Sequence, residues 1–386
     1  MSLLRPPLAL YIHIPWCVRK CPYCDFNSHQ APAGELPEAR YIDALIGDLE
    51  HDLKIVDGHE LHSIFIGGGT PSLFSPESIK DLLGQVATRV ACRPDLEVTL
   101  EANPGTIEHG RFAAYREAGI TRVSLGVQSF NADHLKRLGR IHSPDDVLRA
   151  IAELQAADIR NFNLDLMYAL PEQTREQAIQ DVATAIELRP SHLSHYQLTL
   201  EPGTAFHHRP PARMPDPESA WDMQTGCQAL LADGGFKQYE VSAYAMQGQQ
   251  CRHNLNYWKF GDYIGVGAGA HGKVTDMAQG KIVRTTRHKQ PGIYLSAPSA
   301  ADRLQEVRVV AGTELPFEYM LNALRLREGF SMDEFEARTG QAAASVDQTL
   351  RQAHSKGLME AASDGRWRAS DLGWRFLNDV QELFLT

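Results

Sequence analysis

Between residues 8 and 198 the chain repeats one pattern six times: a short apolar run, then in most repeats a stretch with helical spacing. The runs are 8–14, 61–66, 96–101, 120–127, 159–166 and 192–198. The helical stretches are 37–54, a segment opening at Ser75-Pro76, 107–118, 144–157 and 174–188. In 37–54, Tyr41, Ile42, Leu45, Ile46, Leu49 and Leu53 share a face. Ser75-Pro76 and Ser143-Pro144 are helix-start signals, with proline set at the first helical position. Such alternation predicts an α/β fold with a parallel sheet and right-handed crossovers. Units of this length fit a curved or barrel-like sheet. Its ligands are expected at the C-terminal ends of the strands. Every polar motif of this half falls at such an end: the cysteine loop, GGGTP at 67–71, EANPGT at 101–106, GVQSF at 126–130 and LDLMYALP at 164–171.

The cysteine loop carries the plainest chemistry. Cys17, Cys21 and Cys24 stand at CxxxCxxC spacing directly after the first apolar run. Thiolates suit soft iron, and a compact loop of them folds around an iron–sulfur cluster. Three cysteines leave one iron of a four-iron cluster without a protein ligand, so a small molecule must occupy it. Zinc is the rival. It usually takes four ligands, which would require His13 or His29 to join the thiols. Six cysteines in 386 residues make no disulfide scaffold, and clustered thiols point to a reducing compartment. Two prolines interrupt the first ten residues, which lack the apolar run of a signal peptide. No stretch approaches the ~20 apolar residues of a membrane span. The expected location is cytoplasmic. A formal net charge of −10 argues against capture of nucleic acid or anionic membrane.

Three domains are expected: a barrel at 1–205, an extension at 206–313 and a C-terminal unit at 314–386. The residues 207–217 read as a flexible crossing and 217–232 as a helix. The segments 236–243, 251–258 and 261–272 read as strands and tight turns that extend or cover the sheet, and 281–303 reads as irregular. From 314, helices at 316–326, 331–337, 342–356 and 372–385 surround a two-stranded wing turning at Ser363-Asp364-Gly365. This winged-helix-like α+β unit has no basic recognition face, so packing or docking is expected of it rather than DNA binding.

The stretch YIHIPWCVRKCPYCDF at 11–26 resembles the signature of the radical S-adenosylmethionine (SAM) superfamily. GGGTP, EANP, RVSLGVQSF and LDLMYALP resemble one branch of it, oxygen-independent coproporphyrinogen dehydrogenase and its relatives. The resemblance covers essentially the whole chain. It implies a partial (β/α)6 radical SAM barrel in which Cys17, Cys21 and Cys24 hold a [4Fe-4S] cluster and SAM chelates the fourth iron. Carried over residue by residue, it makes Gly68, Gly69, Thr70, Glu101, Gln128, Arg140 and Asp165 SAM contacts. Tyr11 and Tyr23 then support the cluster and the adenine face. Glycines at the turn let backbone approach a ligand closely.

One departure shifts the expected function. The dehydrogenase carries a fourth cysteine two residues past the third, where this chain has Phe26. That absence resembles the HemW-type group of heme chaperones, as does HNLNYW at 253–258, which matches that group's HNxxYW heme motif. The resemblance implies a carrier that binds heme, the cluster and SAM and delivers heme to an acceptor protein. A homodimer is compatible with it. His253 is the expected axial ligand, since neutral imidazole suits heme iron. His271, His207 and His208 are weaker candidates, and Cys251 reads as a buried thiol. The rival is the enzyme itself, a radical decarboxylase of coproporphyrinogen III.

Overall fold

The computed structural model describes residues 3–56, 58–105 and 110–385. Six parallel strands form the centre of the fold: β1 Leu8–Ile14, β2 Glu60–Gly68, β3 Ala91–Ala102, β4 Arg122–Gln128, β5 Phe162–Tyr168 and β6 His192–Gln197. They lie side by side in chain order. The crossovers include helices α1 Glu38–Asp52, α2 Pro76–Ala87, α3 Phe112–Ala118, α4 Pro144–Ala156 and α5 Arg175–Glu187. Their starts are chemically specified. Ser75 Oγ accepts from Ser78 N–H, and Ser143/Asp146 and Thr174/Gln177 form reciprocal capping boxes. Helix α3 ends at Gly119 in the left-handed region; the residues 107–109 of its expected start lie outside the described ones. This is the expected partial barrel.

Side chains alternate across each strand. Ile64, Ile66, Val98, Leu100, Val123, Leu125 and Leu164 enter the apolar core under the helices. Ser63, Glu97, Ser124, Asn163 and His192 take the other parity and are buried as well. Ser124, Asn163 and His192 pair with one another there, and Ser63 and Glu97 with the 251–253 segment. Asn163 Nδ2 donates to Ser124 Oγ at 2.8 Å, and its Oδ1 lies 2.6 Å from His192 Nδ1, whose Nε2 meets Tyr239 OH at 2.8 Å.

Beyond β6 the sheet grows at both edges. After helix α6 Pro217–Asp233, strands β7 Lys237–Gln238 and β8 Ala243–Ala245 add antiparallel beside β6. Strand β9 Asp262–Val266 returns to pair parallel with β1. Antiparallel strands β10 His271–Asp276, β11 Lys281–Arg287 and β12 Leu304–Val309 follow it. The residues from 314 gather a second core on Tyr319, Met320, Phe330, Phe335, Val346 and Leu350, into which Phe260 and Ile282 of the extension insert. Met359–Ala361 and Trp367–Ala369 pair as the expected wing. The last helix is split into Asp371–Arg375 and Leu377–Glu382.

Two expectations fail in the extension. HNLNYW is not a strand but part of helix α7 Arg252–Trp258. The cause is distant in sequence: the buried Glu97 carboxylate of β3 accepts from the backbone N–H of Arg252 at 2.9 Å and of His253 at 3.4 Å, capping the helix start. Nor is 281–303 irregular. It forms β11 and a short helix, Pro291–Ser296, because its polar residues are paired inside. Arg287, fully buried, meets Asp48 at 3.0 Å and Asp52 at 2.8 Å. Asp48 also accepts from Arg303 Nε at 2.7 Å, Tyr294 OH and Gly267 N–H. Helix α1 is thereby bolted to the extension. Removing one partner of such a buried network strands the others and costs about 3–5 kcal/mol. Asp48→Asn should therefore lower the thermal unfolding midpoint measurably while leaving the far-ultraviolet circular dichroism of the folded protein unchanged. An unchanged midpoint would show that Asp48 contributes nothing net.

Candidate cluster and nucleoside site

The C-terminal ends of β1 to β6 meet at one cavity. Its floor is set by strand register, which puts Glu101 abreast of Ser124 and Asp165 abreast of Ser194. The cysteine loop forms the lid. Trp16–Cys17 pairs with His29–Gln30 to close the loop at its base, and Cys24 N–H donates to Cys21 O at 3.1 Å inside it. Asn27 Nδ2 donates to Ala268 O and Lys289 O, both at 2.9 Å, and Phe206 N–H donates to Pro22 O at 2.9 Å. The thiols are thus held from both sides of the fold.

Cys17, Cys21 and Cys24 all line this cavity, as do Tyr23, Gly68, Gly69 and Thr70. So do Glu101, Gln128, Arg140 and Asp165. Thr70 Oγ donates to Cys17 Sγ at 3.4 Å, Ser28 Oγ lies 3.6 Å from Cys24 Sγ, and Arg140 Nη1 donates to Cys21 Sγ at 3.6 Å. Each thiol therefore has a polar neighbour suited to a sulfur carrying negative charge. Burial still pushes the Cys17 and Cys24 thiols up, with the Thr70 and Ser28 contacts opposing it. Among the described residues no three His, Cys, Asp or Glu side chains converge on one point as ligands of a single ion. A four-iron cluster places each cysteine on a different iron, and the donor set fits that group.

The glycines let the turn pack directly against the end of β1 and the start of the cysteine loop, where a side chain would collide. Gly68 has φ +115°, and a Cβ on it would stand 2.6 Å from the His13 ring. A Cβ on Gly69 would stand 2.5 Å from Trp16 O. Gly68 N–H donates to Glu101 Oε2 at 3.0 Å. Burial, and after it the charge of Asp165, push the Glu101 carboxyl up to about 7 against that bond. Asp165 is also raised by burial, though Asn163, Ser194 and Ser124 bond it. The buried Arg122 guanidinium offsets this only in part, and two neighbouring carboxyls of this kind suit a ligand rich in donors. Gln128 is held at φ +68° and accepts from Tyr196 OH at 2.9 Å.

Sequence reasoning passed over Asn103, Ser124, Gly126 and Tyr196, which also line the cavity. Asn103 joins two expected contacts: its Nδ2 donates to Thr70 Oγ at 2.8 Å and its Oδ1 accepts from Arg140. Its place in the EANP strand end was the signal for it. Tyr11 stands in the wall of the neighbouring cavity, its OH 2.9 Å from His13 Nδ1. His253 reaches neither cavity wall. It is buried, Nδ1 lies 3.3 Å from Ser63 Oγ and Nε2 lies 2.9 Å from Tyr257 OH. Burial lowers its pKa to about 3, so the ring is neutral, yet both nitrogens are engaged and neither is presented to a macrocycle.

Known proteins match this arrangement. Residues 11–185 match the Radical SAM superfamily and residues 310–376 the HemN C-terminal domain. "Heme chaperone HemW" of Escherichia coli K12 is 49% identical over 380 residues, 98% of each chain. The chain belongs to the HemW family of radical SAM proteins. Its namesake from Haemophilus influenzae is 48% identical, covering 99% of this chain and 98% of that one. The mouse mitochondrial radical S-adenosyl methionine domain-containing protein 1 is 39% identical over 74% of this chain and 67% of its own. In fold, the chain resembles coproporphyrinogen III oxidase (HemN) of Escherichia coli, with a TM-score of 0.82 at 20% identity, covering 99% of this chain and 91% of that one. Membership of the HemW family implies a [4Fe-4S] cluster and SAM.

A ligand that donates to Glu101 bonds its ionised form more strongly than its neutral one. SAM affinity should therefore rise with pH up to about 7, by at most about tenfold per unit, and level off above it. Glu101→Gln should flatten this profile in calorimetric titrations. A parallel slope in both proteins would remove Glu101 from the contacts.

Proposed function

We propose that the protein is a heme chaperone of the cytoplasm, which binds heme beside a [4Fe-4S] cluster and SAM and passes the heme to an acceptor protein. Phe26 carries this reading. It occupies the position of the dehydrogenase's fourth cysteine, and the residue is 62% exposed at the rim of the cysteine loop. A thiol there would serve chemistry; an exposed aromatic ring serves contact with a flat apolar ligand. The near-full-length likeness to proteins named heme chaperones supports the same reading.

Cys17, Cys21 and Cys24 would hold the cluster. Gly68, Gly69 and Thr70 would receive the amino-acid end of SAM, Arg140 its carboxylate, and Glu101 and Asp165 its hydroxyls, with Gln128 and Tyr23 alongside. When bound and reduced, such a cluster would supply an electron to the SAM sulfonium. The residues' own work is to bind, orient and exclude water: Asn103 fixes Arg140 and Thr70, and Tyr196 fixes Gln128. All six cysteines are free thiols, as a reducing compartment requires, and no helix among the described residues is long and apolar enough to cross a membrane. The edge strand β12 exposes Val307 and Val309, which favours association as a homodimer.

The deciding experiment is anaerobic reconstitution, followed by hemin and, separately, by coproporphyrinogen III with SAM and a reductant. One hemin per chain without porphyrinogen turnover is expected. Turnover of coproporphyrinogen to protoporphyrinogen would contradict the carrier assignment.

A further inference from the structure

A second cavity adjoins the first, sharing Phe26, Gly68 and Glu101 with it. Its volume is about 490 Å³, within the range of about 300–1,000 Å³ usual for small-molecule sites. Tyr11, Tyr257 and Tyr263 give it an aromatic wall, with Tyr257 and Tyr263 edge-to-face at 4.4 Å between ring centres. Lys20 and Lys289 bring positive charge to it, and the carboxyls of Asp25 and Glu101 line it as well. His271, the first residue of β10, is exposed and lines the same cavity. Its Nδ1 lies 3.2 Å from Thr286 Oγ, and its Nε2 has no hydrogen-bond partner among the described residues.

Resting on the heme-carrying reading, we propose that this second cavity is the heme pocket and that His271, not His253, is its axial ligand to iron. The features asked of such a site occur together here. Aromatic faces pack on a macrocycle, two ammonium groups face carboxylate side arms, and an imidazole offers one nitrogen while the other is held by a second group. Partial desolvation of the ring at the cavity wall, with Lys289 and Arg284 nearby, lowers the His271 pKa and so favours the neutral ring that ligates iron. His253 then becomes a positioning residue. Its bond to Tyr257 OH fixes the ring that forms the wall, so HNLNYW contributes to the pocket through Tyr257 rather than through its histidine.

The test is a hemin titration of the full-length, cluster-reconstituted protein, read by the Soret band and electron paramagnetic resonance. His271→Ala should lose the imidazole-ligated spectrum and at least about tenfold in hemin affinity. Added free imidazole should restore the spectrum. Affinity for iron-free protoporphyrin IX should fall far less than that for hemin in His271→Ala, because the aromatic walls remain. His253→Gln should keep the imidazole-ligated spectrum and bind both porphyrins more weakly. Wild-type binding of hemin with an identical spectrum in His271→Ala would overturn the ligand assignment and leave the carrier reading standing. Failure of the wild type to bind hemin at all would overturn both.

Discussion

Six parallel strands covered by helices on one side must turn every second side chain the other way, and here most of those residues are polar. Each must find a partner in the concave interior or pay its desolvation cost. Low in the sheet the partners exist: Asn163, Ser124, His192 and Tyr239 form a chain of bonds, and Glu97 caps a helix. Toward the C-terminal ends they thin out. Glu101 accepts from one backbone N–H and faces Asp165, and the thiols above it have only weak donors. The binding site lies where the interior's own polar pairing is incomplete, and that incompleteness is what a donor-rich ligand and a metal cluster would fill.

The extension completes this site. Asn27 fastens the cysteine loop to the carbonyls of Ala268 and Lys289, and those segments are in turn fixed to α1 through Asp48, Arg287 and Arg303. The same segments carry Tyr263 and His271 to the second cavity. Loop order and the shape of the neighbouring cavity therefore depend on one buried ionic hub. Phe26 stands between the two cavities, on the wall common to both.

The barrel and most of the cluster cavity were legible because their signals are local. An apolar run marks a strand, Ser-Pro marks a helix start, and a motif at each strand end marks a common rim. Gly68, Thr70 and Glu101 could be placed that way, whereas Arg140 came only from the family resemblance. What escaped depends on partners far along the chain. The α7 helix is capped by Glu97, 155 residues before Arg252, and the polar β11 is buried because Arg287 reaches Asp48 and Asp52. HNLNYW read as an aromatic strand with an available histidine; the helix turns His253 inward and Tyr257 toward the cavity. Tyr196 gave no sign in sequence because its role rests on reaching across to Gln128.

The most direct measurement is an anomalous iron map of crystals of the reconstituted protein grown with hemin. The account predicts iron density at Cys17, Cys21 and Cys24 and a separate heme iron in the adjoining cavity between Phe26 and His271. Iron at the cysteine loop alone, with hemin absent or bound elsewhere on the surface, would contradict it.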